Sequence, residues 1–130
     1  MNDCLFCKII KKEIPSFILY EDEIVIVFLD IKPSTNGDCL LVPKKHFDTI
    51  DKLDDNLLLH IHQVIIKMKT LLEDRLNCDG FTIAQNNGYG QEIKHFHIHL
   101  TPRYKNDCLE HSFNKDNNLD LNIVYRKITE

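Results

Sequence analysis

Residues 54–76, DDNLLLHIHQVIIKMKTLLEDRL, constrain the fold more than any other stretch of the 130-residue chain. Leu57, Leu58, Ile61, Val64, Ile65, Met68, Leu71 and Leu72 recur at spacings of three and four, which gathers them on one face of an α-helix. Asp54 is placed to cap its first turn, and the NCDG that follows Leu76 ends it. A helix this long with a single apolar face has to lay that face on a second layer.

The flanking sequence supplies that layer as short β-rich runs. CLFCKIIKKE reads as one or two helical turns ending before Pro15. FILYEDEIVIVFLD gives two strands, Phe17–Tyr20 and Ile24–Leu29, meeting at an acidic turn. Pro33 to Gly37 (PSTNG) is a loop, and DCLLVPKKH is a strand broken at Pro43. After the long helix, GFTIAQN is a strand, NGYGQ a turn, and the next strand returns antiparallel. The pattern is α+β: an antiparallel sheet with one long amphipathic helix on a face and a short N-terminal helix. Residues 1–104 carry this pattern. Residues 105–130 form a polar, weakly patterned tail, with some apolar character only between Leu119 and Ile128, readable as part of the same domain or as an extension packing in a dimer.

Composition narrows the function classes. Twenty acidic against 16 basic residues leave a formal charge of −4, which lacks the basic footprint that non-specific nucleic-acid binding requires. No run approaches the ~20 apolar residues of a membrane span, and the polar MNDC start does not resemble a secretion signal. Five cysteines, an odd number without such a signal, suit a reducing cytoplasm better than a disulfide framework.

The chemistry concentrates in HFHIHLTPR, residues 95–103. Phe96, Ile98 and Leu100 alternate with His95, His97 and His99, as on a strand with one apolar and one imidazole face. Same-face neighbours on a strand lie roughly 6.5–7 Å apart, so His95 and His99 are separated by about 13 Å. Imidazole nitrogens sit about 2.0–2.1 Å from zinc, so a straight strand can bring two of the three to one ion but hardly all three. A solvated face carrying imidazoles is the bland alternative. Cys4 and Cys7 form a C-x-x-C pair, which is half of a tetrahedral zinc site or, alternatively, a redox pair; Cys39, Cys78 and Cys108 stand singly. Histidines would have to complete a zinc shell, with His46 at the end of VPKKH and one triad histidine as candidates. His60 and His62 lie on the long helix, where structural or solvated roles are expected, and His111 is assigned no role. In QNNGYGQE, Gly88 and Gly90 permit positive φ and close backbone approach to a phosphate, while Asn86 and Gln91 add neutral polar groups. The same residues also describe an ordinary Asn-Gly hairpin turn.

Taken together, CLFCKIIKKEIPS, VFLDIKP, LLVPKKHF, NNG, GQE and HIHLTPR, in this order from Cys4 to Tyr104, resemble the histidine triad (HIT) family of nucleotide hydrolases and transferases, and the Hint-like branch most of all. The resemblance implies the α+β sheet already read, a homodimer, and a purine, adenosine-based nucleotide as substrate. It makes His97 the nucleophile, places His99 on the phosphate with Asn86 and Gly90 beside it, and sets Gln91 near the leaving-group oxygen. Asp30 falls where the family holds the ribose hydroxyls; Leu5, Phe6, Ile9, Phe28 and Ile31 fall where it packs the base. A structural zinc is implied at Cys4, Cys7, His46 and His95. Two departures stand out. The loop between Gly88 and Gln91 is shorter than in many relatives, and Glu92 replaces a serine near the phosphate; a carboxylate there is expected to turn away or act on a leaving amine. The competing readings are a dinucleoside polyphosphate hydrolase, a metal-centred hydrolase in which HFH binds zinc, and a nucleotide-binding module without turnover.

Overall fold

The computed structural model describes residues 3–108 and 113–130; His111 lies outside them. In chain order the elements are α1 (Leu5–Ile10), β1 (Ile18–Glu21), β2 (Val25–Leu29), β3 (Cys39–Pro43), a 3-10 turn (Ile50–Lys52), α2 (Asp55–Leu76), β4 (Gly80–Gln85), β5 (Ile98–Arg103) and α3 (Leu121–Thr129). The strands form one five-stranded antiparallel sheet in the order β1-β2-β3-β5-β4.

The long helix forms as its periodicity predicts. The Asp54 carboxylate accepts from the N–H of Leu57 at 2.8 Å, and Asn77 ends the helix in the left-handed conformation, its N–H donating to the carbonyl of Glu73 at 3.1 Å. Ile61, Val64, Ile65, Met68 and Leu72 are buried against Val25, Val27, Cys39, Leu41, Ile98 and Leu100 of the sheet and against Phe96 just before β5; Leu71 sits at the margin of that stripe. On the opposite face, α1 sets Phe6 and Ile9 on Ile26, Phe28, Leu40 and Val42. Because β2 and β3 are covered on both sides, their sequences are continuous apolar runs rather than alternating ones. The α1 side covers only part of its face. The uncovered part is the cavity described below.

Three local features differ from the sequence reading. Pro43 does not break β3 but closes it, opposite Val25. The Lys44 N–H points to β2, donating to Ile24, so the missing donor of Pro43 faces the other side, where pairing with β5 covers only Cys39 to Leu41. For the same reason the histidine segment becomes a strand only at Ile98. His95 spends its ring N–H on the Pro43 carbonyl at 2.8 Å, and the Phe96 N–H donates to Phe47 at 2.6 Å. The third difference is α3, a helix in the polar tail; none of its residues is buried.

Candidate active site and metal centre

Cys4 stands at the N-cap of α1 and its sulfur accepts from the N–H of Cys7 at 3.4 Å, so the first helical turn itself brings the two sulfurs together. The end of β3 delivers His46, and the approach to β5 delivers His95. The two sulfurs and the two imidazole nitrogens all lie within 4.8 Å of one another. Cys4 Sγ is 3.4 Å from His95 Nδ1, and Cys7 Sγ is 3.3 Å from His46 Nδ1 and 3.6 Å from His95 Nδ1. A tetrahedral zinc with bonds of about 2.3 Å to sulfur and 2.05 Å to nitrogen requires sulfur–nitrogen edges of about 3.5 Å.

The outer contacts fit as well. With Nδ1 turned inward, each Nε2 meets an oxygen: His46 the Asp48 carboxylate at 3.0 Å, His95 the Pro43 carbonyl at 2.8 Å. Burial lowers the pKa of His95 to about 4, leaving the ring neutral at pH 7, as a ligand must be. Burial, then the adjacent Cys4 sulfur, raises that of Cys7; a bound cation reverses this penalty by stabilising the thiolate. These four residues can hold a metal ion.

Past His95 the backbone turns the next two histidines into a cavity of about 640 Å³ on the α1 side of the sheet. His97 is buried, with its ring 4.9 Å from that of Phe6 and 5.0 Å from that of His99. Its Nδ1 lies 2.7 Å from the His95 carbonyl oxygen. A carbonyl only accepts, so Nδ1 carries the proton and Nε2 keeps its lone pair. Burial lowers the pKa of His97, against the opposing pull of that carbonyl, which favours the neutral, nucleophilic ring.

Of the residues singled out in the sequence, Leu5, Phe6, Ile9, Phe28, Asp30, Ile31, Asn86, Gly90, His97 and His99 all line this cavity. Ile31 is at its rim, 78 % exposed. Gln91 is the exception. Its Nε2 donates to the Asp48 carbonyl at 2.6 Å and its Oε1 accepts from the Gly88 N–H at 3.1 Å, so the side chain braces the loop instead of lining the cavity. Glu92 does line it, from an exposed position at the mouth. His60 has a structural partner, the Asp22 carboxylate at 2.7 Å, and His62 is exposed. Sequence reasoning missed a buried pair in the cavity wall, Asp38 and Thr101, and the linking role of Asp48; the only available signal was a carboxylate heading the apolar run of β3.

Fold and site define a class: an antiparallel α+β domain in which a cluster of four potential metal donors adjoins a histidine segment that opens into a cavity of about 640 Å³. The chain belongs to the histidine triad family, for the HIT domain profile matches residues 11–106. An uncharacterized HIT-like protein of Methanocaldococcus jannaschii is 42 % identical over 127 residues, covering 96 % of this chain and 98 % of that protein. The adenosine 5'-monophosphoramidase of Saccharomyces cerevisiae is 38 % identical over 102 residues, covering 77 % of this chain and 62 % of its own length. Among solved structures, a Zn-bound histidine triad family protein from Mycobacterium smegmatis is similar at a TM-score of 0.79 and 30 % identity, over 88 % of this chain and 85 % of that one.

Proposed function

We propose that this protein hydrolyses, or transfers to an acceptor, the nucleotidyl group of purine nucleoside phosphoramidates or related adenylates, through a nucleotidyl-histidine intermediate. The observation that carries the reading is the His97 tautomer: Nδ1–H on the His95 carbonyl, Nε2 with a free lone pair, in the wall of the cavity. Nε2 attacks the α-phosphorus in line, the bond to the leaving amine or phosphate breaks, and water then cleaves the phosphorus–nitrogen bond to release the nucleoside monophosphate. His99 binds a phosphate oxygen, and Asn86 and the Gly90 turn hold the others. Asp30 accepts from the ribose hydroxyls, and Leu5, Phe6, Ile9, Phe28 and Ile31 enclose the base. Gln91 acts on the leaving group only by keeping the loop in place. Positioning and charge stabilisation are what phosphoryl transfer chiefly demands, and this constellation supplies both.

Zinc at Cys4, Cys7, His46 and His95 would supply a structural cross-link, holding His95 and through its carbonyl the His97 tautomer. The monophosphoramidase among the relatives supports an adenosine phosphoramidate as substrate. A homodimer that continues the sheet, in a reducing cytoplasm where the five free cysteines persist, completes the reading. The test is turnover of adenosine 5'-phosphoramidate, diadenosine polyphosphates and their guanosine counterparts by wild-type protein. Preferred cleavage of the adenosine phosphoramidate is expected; turnover of none of them would overturn the proposal.

A further inference from the structure

We propose that Asp38 and Thr101 are positioning residues that set the distance between the ribose-binding carboxylate and the histidines, and so determine how strongly the site selects a ribonucleotide. The inference rests on the reading of Asp30 as the ribose acceptor.

Asp38 opens the apolar run of β3 and is 3 % exposed. A buried carboxylate is costly unless its oxygens are bonded, and apolar packing would serve stability as well or better. Here both oxygens accept: Oδ1 from the Thr101 hydroxyl at 2.8 Å, Oδ2 from the Ser34 N–H at 3.0 Å. The backbone of the same residue closes the loop, its carbonyl accepting from the Asp30 N–H at 3.0 Å and its N–H donating to Thr35 at 3.2 Å. One residue therefore holds both ends of the segment that presents Asp30. Thr101 is the third same-face residue of the series His97, His99, Thr101, and Cys39 pairs with Leu100, which sets Asp38 opposite Thr101.

Asp30 is oriented within this frame, for its Oδ1 accepts from the Lys32 N–H at 2.9 Å and leaves Oδ2 for a ligand. A nucleotide spanning the site must meet Asp30 with its ribose and His97 with its phosphorus at once. Small displacements at either end are costly to such an arrangement. Farther along the loop, the Thr35 hydroxyl donates to the Pro102 carbonyl at 2.7 Å and the Tyr104 hydroxyl to the Asn36 carbonyl at 2.8 Å. Those contacts keep the loop folded when the Asp38–Thr101 bond is removed, so the effect is confined to the Asp30 end.

The experiment compares adenosine 5'-phosphoramidate with its 2',3'-dideoxy analogue on full-length wild-type, Asp30→Ala, Thr101→Val and Thr101→Ser proteins. Hydrogen bonds to a charged acceptor give wild type a preference for the ribose substrate of roughly ten- to hundred-fold in kcat/KM. Asp30→Ala abolishes it. Thr101→Val, isosteric but without the donor, reduces the preference by roughly tenfold, because the ribose substrate loses more in kcat/KM than the dideoxy analogue does. Thr101→Ser restores the wild-type ratio. Should Thr101→Val not fold, Asp38→Asn keeps the shape and the Ser34 bond and exchanges the charged bond to Thr101 for a weaker neutral one, so it shifts the ratio in the same direction but less. An Asp30→Ala effect without any Thr101→Val or Asp38→Asn effect on the ratio overturns this inference alone, as does an equal loss on both substrates. A wild type with no ribose preference, or an Asp30→Ala protein that retains one, overturns the reading of Asp30 and the inference with it.

Discussion

If Cys4, Cys7, His46 and His95 hold zinc, its removal should release α1 from the sheet while leaving the rest of the fold intact. The helix has six residues, and ordering a segment of that length costs at least about 6 kcal/mol of backbone entropy. Its returns are modest: burial of Phe6 and Ile9 contributes about 3–6 kcal/mol, and Leu5, Ile10 and Ile14 are only partly covered. The two terms nearly cancel, so the packing alone leaves α1 marginal. A structural zinc site is worth about 10–16 kcal/mol in small domains, and a fraction of that, delivered through Cys4 and Cys7, suffices to fix the segment. The five-stranded sheet and α2 form a separate core that does not depend on it. Hydrogen–deuterium exchange by mass spectrometry checks this on zinc-loaded protein, chelated protein and Cys7→Ser. Amides of residues 5–10 should lose protection in the last two while those of α2 keep theirs, and nucleotide affinity should fall because Leu5, Phe6 and Ile9 form one wall of the cavity. Unchanged protection of α1 after verified metal removal would show that packing alone holds the helix on the sheet.

Two further perturbations probe the scaffold. Burial alone would raise the pKa of Asp22, but the N–H groups of Val25 and Ile24, the Tyr20 hydroxyl and His60 outweigh it and hold the carboxylate well below its usual range. The stability this contributes is complete above the unfolded value of about 3.9 and is lost as pH falls through the depressed folded value. Urea titrations of Asp22→Asn should thus show a deficit of about 1–3 kcal/mol at pH 5 that shrinks toward pH 2; a constant deficit would contradict the network. Gly37 has φ +93°, and a Cβ there would run into Leu76 Cδ1. Gly37→Ala should cost about 1–3 kcal/mol by thermal melting, and a neutral result would show that the loop relaxes freely.

The features legible in the sequence were those governed by periodicity or by local chemistry. Eight apolar positions at helical spacing defined α2, and Asp54 its start, because burial of a single stripe and an unpaired N–H at the first turn leave few alternatives. The alternation of Phe96, Ile98 and Leu100 with the histidines likewise anticipated which residues enter the core. Where the chain meets distant partners the sequence was silent. The β5 ladder starts late because Pro43, far away in sequence, offers only a carbonyl, and His95 claims it. Gln91 turns toward Asp48 because that carbonyl is within reach, which no spacing along the chain reveals. Asp38 and Thr101 are 63 positions apart and carry no motif. The helix α3 was hidden for another reason: none of its apolar residues is buried, and the tail around it reads as merely polar.

The proposed chemistry turns on attack at phosphorus by Nε2 of His97. The most direct measurement is rapid quench of wild-type protein with adenosine 5'-phosphoramidate, followed by mapping of the modified peptide. A nucleotide bound to His97, labile in acid and stable in base as a phosphorus–nitrogen bond is, is the predicted result; His97→Ala should trap none and lose turnover by several orders of magnitude while still binding nucleotide. Near-normal turnover by His97→Ala with no label trapped would favour direct attack by water, and label on another residue would move the nucleophile there.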